Sequence, residues 1–186
     1  MCIVKTLLLS ALAFTTGLWV ATATRAECQI QLSEAQIDYA PLTRGELLSF
    51  PGNTLTSSEL RIGEARDLNM TLVCDRPTLM ALGFSGTARD GESYRFGADG
   101  RAMLRLHDVF IDNQPVIIDS AGQRGVAMAF TPGRSLRFWQ QERLATGMIL
   151  RGKITVTAWV PAESSKGNER KSWELTGAFF TGGTLN

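Results

Sequence analysis

The sequence predicts an all-β fold, an antiparallel β-sandwich fastened by one disulfide, and three observations predict it. Apolar residues recur with a period of two rather than 3.6 along most of the chain. Turn signals divide the alternating runs at intervals of about ten residues. The chain also opens on an export leader that leaves two cysteines for an oxidising compartment.

The leader is residues 1–26. Lys5 gives a positive start, and the uncharged apolar stretch 6–20 is shorter than the roughly 20 residues a bilayer span needs. Ala21-Thr22-Ala23 and Thr24-Arg25-Ala26 offer small residues to a signal peptidase, placing cleavage after 23 or 26. Cys2 leaves with the leader, and the even pair Cys28 and Cys74 is expected to form a disulfide. Residues 27–186 then make one domain, long enough to bury a core.

The elements follow in order. Ile30, Leu32, Ile37 and Tyr39 mark a broken first strand. Leu68, Met70, Leu72 and Cys74 alternate with Asp67, Asn69, Thr71 and Val73, a half-buried strand that ends in the disulfide. After a Pro77 turn, Leu79 to Ser85 has apolar residues on both faces and reads as a central strand. Asp90-Gly91 and Asp99-Gly100 are turn signals. Met103, Arg105 and His107 alternate with Leu104, Leu106 and Asp108, and Val109 and Ile111 lead into a hairpin or short loop at Asp112-Asn113-Gln114-Pro115. Val116 to Asp119 returns as a strand, and Val126 to Phe130 and Ser135 to Trp139 flank a turn at Thr131-Pro132-Gly133. Arg137 to Leu144 suits either a helical turn or a strand; helical signals are otherwise weak. Met148 to Val160 is the most regular strand, with Ile154, Val156, Ala158 and Val160 on one face. A polar loop over 162–171 precedes the last strand, Trp173 to Phe180.

A formal net charge of +1 supplies no basic field for nucleic acid and no acidic tail, and 44% hydrophobic residues exclude wholesale disorder. Catalytic chemistry is thin. His107 is the single histidine, on the face opposite Leu104 and Leu106, and reads as solvated or hydrogen-bonded. Two cysteines and one histidine make no zinc spacing. No Gly-x-Ser-x-Gly elbow occurs, and the glycine-rich stretches lack the lysine of a phosphate loop. Asp108 and Asp112 read as turn and edge residues rather than an acid pair, and Asn69-Met70-Thr71, a glycosylation pattern, falls inside a strand. The expectation is a non-enzyme with no metal and no cofactor. Trp139, Trp159 and Trp173 read as core or rim residues, with a ligand platform as the sharper alternative and Trp159 its foremost candidate.

These residues resemble a family. The leader, Cys28 soon after it, Cys74 closing a strand, Thr131-Pro132-Gly133, a strand at the chain's end and the Tyr94-Arg95-Phe96-Gly97 stretch together resemble a subunit of chaperone–usher fimbriae, nearest the beta-fimbria type of pilin. The resemblance implies an immunoglobulin-like sandwich lacking its final strand. Its partners would be a periplasmic chaperone that lends a strand, an outer-membrane usher, a neighbouring subunit that donates a strand in the chaperone's place, and a host or surface receptor. Localisation would be periplasmic in transit, then fimbrial. The last strand would span 173–185, with Trp173, Leu175, Gly177, Phe179, Phe180 and Leu185 at the acceptor groove and the Asn186 carboxylate meeting the chaperone. Two departures matter. Few residues precede Cys28, which implies an acceptor without a donor extension, at a fibre end and most simply the tip. Thr181-Gly182-Gly183-Thr184 breaks the final alternation. The alternative is a self-complete exported sandwich that binds a carbohydrate or surface protein through Trp159 or Trp173 and the loop 162–171.

Overall fold

The computed structural model describes residues 26–34, 36, 37, 39, 42–165 and 173–182. Strand β1 (Cys28–Leu32) leads to helix α1 (Arg44–Ser49) and then to β2 (Glu59–Leu79), which returns antiparallel to β1 with Cys28 opposite Cys74. The two sulfurs are bonded. Leu68, Met70, Leu72 and Cys74 are all buried, as their period of two requires. Helix α1 forms because Thr43 caps it: the Thr43 hydroxyl accepts from Glu46 N, and the Glu46 carboxylate accepts from Thr43 N.

Then follow β3 (Ala81–Gly86), β4 (Tyr94–Phe96), β5 (Gly100–Ile111), β6 (Gln114–Pro115), β7 (Ile117–Ser120), β8 (Gln123–Gly125), β9 (Ala127–Ala129), β10 (Ser135–Gln140), β11 (Arg143–Leu144), β12 (Thr146–Pro161) and β13 (Gly177–Thr181). They build two antiparallel sheets. One runs β1-β2-β12-β5-β4, with β6 and β9 also on β5; the other runs β13-β3-β10-β7-β8, with β11 on β10. Between them lie Leu72, Leu106, Ile118, Phe130 and Phe138, all essentially without solvent contact. This is the all-β sandwich that the periodicity predicts.

The sheets differ in height. Strands β2, β12 and β5 hold 21, 16 and 12 residues, whereas β3, β10 and β13 hold 6, 6 and 5. At about 3.3 Å per residue the first sheet outreaches the second by tens of Å. The overhang needs its own cover. Leu60, Ile62, Phe96, Ala102, Ala158 and Val160 form a second apolar cluster beneath Leu47 of α1, with Tyr39, Trp173 and Leu175 packed against it. The bend that admits Tyr39 sits at Gly63, at φ 67°, where a Cβ would lie 2.9 Å from the Tyr39 ring.

Two expectations change, one open alternative is decided and one turn is placed between the sheets. Pro77 lies inside β2 rather than at a turn. The ladder to β12 skips from Thr78 to Val73, so the missing N–H of Pro77 breaks no pairing. Arg137 to Leu144 is a β10–β11 hairpin, turning at Gln141 and Glu142 with φ 47° and 63°. The turn expected at Thr131-Pro132-Gly133 forms, closed by Arg134 N donating to the Thr131 carbonyl at 3.1 Å, and it carries the chain from β9 in one sheet to β10 in the other. The last strand is Gly177–Thr181 rather than 173–185. Trp173 to Thr176 is held away from the ladder by the bond from Gly97 N to Glu174 O and by stacking of Trp173 on Phe96, and Gly182 at φ 71° follows the strand. Leu185, Asn186, residues 166–171 of the polar loop and all of the leader except Ala26 lie outside the described residues.

Candidate functional site: an apolar cleft beside β13

Strand β13 pairs with β3 along one edge; among the described residues no strand pairs with its other edge. Strand β1 is likewise the edge of the first sheet. Between these two edges the layers open into a cleft of about 550 Å³. Its floor is Leu68, Val156 and Leu104, inward residues of the adjacent strands β2, β12 and β5. One wall is Leu32 and Ile37, continuing from β1; the other is Phe84 and Phe179. Alternation explains the apolar lining: these are core-facing positions at the level where the shorter sheet runs out. Among the described residues, Glu34 and Glu174 are the only charged ones that line it.

Most of the expected groove residues meet here. Trp173 stacks on Phe96 with ring centroids 6.0 Å apart. Leu175 packs against both apolar clusters. Gly177 lines the cleft because nothing larger fits: a Cβ would collide with the Phe84 ring and lie 2.6 Å from the Ser85 carbonyl oxygen. Phe179 packs on Phe84 at 4.9 Å and on Phe130 at 5.4 Å. Phe180 does not line the cleft. Being next to Phe179 in a strand, it points to the opposite face, where its ring covers Gly83. Nothing in the sequence singles out Phe84, Leu104 or Val156; alternation marks them as core, which they are, each buried, and only topology shows that they also line a cleft. The Tyr39 hydroxyl, at the cleft's inner end, is buried without a hydrogen-bond partner, and burial pushes its pKa up.

The three tryptophans are not brought together. Trp173 is in the cleft. Trp139 belongs to β10 in the second sheet, under the Arg124 guanidinium at 3.7 Å. Trp159 faces outward from the first sheet, and the Arg101 guanidinium lies 4.0 Å over its ring while Arg101 Nε donates to Glu59 at 2.8 Å. A sugar stacking on that ring face would have to displace the guanidinium.

His107 joins a surface network rather than a catalytic relay. The Thr155 hydroxyl donates to Asp67 at 2.6 Å, so its one proton is committed, and His107 Nε2, 2.9 Å from Thr155 Oγ1, must donate to it. A histidine that donates to the hydroxyl is not drawing a proton from it. Asp108 stands 3.4 Å from His107 Nδ1; the Lys153 ammonium bonded to its carboxylate holds its pKa below the usual range. The Asp112 carboxylate accepts from Met148 N and Ile149 N, fastening the turn after β5 to β12. No three of His, Cys, Asp and Glu gather into a metal-sized group among the described residues. No protein-family model, curated protein or solved structure matches the chain.

Proposed function

We propose that this chain is a strand-accepting subunit of a chaperone–usher pilus, exported by the leader 1–26 and held by a periplasmic chaperone before the usher passes it to a neighbouring subunit. The observation that carries this reading is the edge of β13 that no strand pairs with among the described residues, beside a cleft floored by core side chains. Unpaired strand N–H and C=O groups are a template for another chain. An extended segment laid along β13 would satisfy them, adding a strand to the sheet and laying alternate side chains over the buried floor of Leu104, Val156 and Phe84. The Cys28–Cys74 bond fastens β1, the opposite edge, to β2. A self-complete sandwich that binds carbohydrate on Trp159 has less support, because Arg101 covers that ring.

The test is the purified mature chain with and without a synthetic peptide of alternating large apolar residues. Hydrogen exchange at Gly177–Thr181 is expected to be fast alone and slow with the peptide. A chain that is monomeric, fully stable and as protected at β13 as at β12 without any partner removes the basis for the proposal.

A further inference from the structure

The register of the first sheet puts Arg61 of β2, Trp159 of β12, Arg101 of β5 and Arg95 of β4 in one row across four strands. Directly opposed residues share a face, and the flanking Leu60, Ala158, Ala102 and Phe96 are buried, so the row faces outward. It holds three arginines, and Glu59 pairs with one of them, Arg101, at 2.8 Å. Neither Arg61 nor Arg95 has an acidic partner among the described residues, and Arg61 Nε is buried without an acceptor. Arg95 and Arg101 stand directly opposite each other, an arrangement of like charges that weakens a sheet. Glu59 and the Trp159 ring draw the Arg101 guanidinium toward β12, and the row as a whole keeps an excess of positive charge.

From this row we infer that the outer face of the first sheet binds an acidic polysaccharide, its sulfates or carboxylates held by Arg61, Arg95 and Arg101. This surface shares no residue of the row with the cleft. Arg101 is already oriented to receive an anion. Trp159 supports its plane and Glu59 holds Nε, while Nη1 has only the weak acceptor sulfur of Met103, at 3.5 Å. Guanidinium forks match sulfate and carboxylate oxygens in pairs. Strands lie about 4.8 Å apart, so the three charges spread over roughly 14 Å in a line, which suits a chain of anions better than a single one. The covered Trp159 ring offers no platform for stacked bases, which single-stranded nucleic acid uses. The row's neighbours Met103 and Thr157 are not the bulky apolar face that enters a bilayer.

The experiment is heparin binding by the mature chain across a salt series. Arg61→Gln and Arg95→Gln are each expected to lower affinity about tenfold and to reduce the salt slope by about one, while neutral dextran does not bind. Adding the cleft peptide leaves heparin affinity unchanged, which separates this surface from the strand-accepting one. Thermal melts confirm folding; Arg95 is exposed on a short strand, so Arg95→Gln decides the matter alone if Arg61→Gln does not fold. Three outcomes overturn the inference: no heparin binding at low salt, binding unchanged in both variants, or equal binding to single-stranded DNA or phosphatidylserine vesicles with the same losses.

Discussion

Tyr94 joins the two layers near the cleft. Its hydroxyl donates to the Phe84 carbonyl at 3.2 Å, its ring meets Phe84 edge-on at 4.8 Å, and it is fully buried. Burial pushes its pKa up to about 12. An unfolded tyrosine ionises near 10, so between pH 10 and 12 the unfolded chain releases a proton that the folded chain keeps. The contribution is intact below pH 10 and is lost as pH rises toward 12. Tyr39, raised by burial, acts in the same direction. Tyr94→Phe is expected to cost about 1 kcal/mol at pH 8 and to flatten the alkaline loss, read from urea midpoints at pH 8 and pH 11. A variant with the parent's full alkaline loss would contradict the assignment. The outward face of His107 was legible from its alternation with Leu104 and Leu106. Its bonding was not, because Thr155 and Asp67 arrive from two other strands.

Strand β1 is a five-residue edge with β2 as its ladder neighbour, and the disulfide holds it there. Joining residues 46 apart is worth about 4 kcal/mol in the chain-entropy account. The double variant Cys28→Ser, Cys74→Ser should lose stability of that order in urea, and β1 amides should exchange first while β12 keeps its protection. A loss under about 1 kcal/mol would mean that packing of Ile30 and Leu32 suffices without the bond. Elements were legible in proportion to how local their cause is. Met148 to Val160 read correctly because alternation alone determines a buried face. Helix α1 carries a local signature, Thr43 three residues before Glu46, yet six residues hold too little periodicity to announce a helix. The Gln141-Glu142 turn has no signature at all, since neither residue favours positive φ. The end of the chain misled for a tertiary reason: Trp173 and Leu175 alternate like strand residues but serve the second cluster.

At the scale of the whole molecule, a sequence shows alternation but not how high each sheet stands or which rows align. Arg61, Arg95 and Arg101 are far apart along β2, β4 and β5 and become one row only through register; a net charge of +1 conceals them. The mismatch in sheet height is equally silent, and it opens the cleft. If that opening awaits a strand, supplying one in cis should stabilise the whole sandwich. The chain can be extended past Asn186 by a flexible linker and a seven-residue strand of alternating large apolar residues. Three buried side chains supply roughly 5–9 kcal/mol, and ordering the added backbone offsets much of it. A net gain of about 3 kcal/mol raises Tm by roughly 6–12 °C in a domain of this size. The matched control places Asp at the inward positions, keeping length and linker while forfeiting burial, and should leave Tm where it was. Equal rises in both fusions would trace the effect to the tether. No rise in either would mean that β13 and the floor beneath it are already content without a partner.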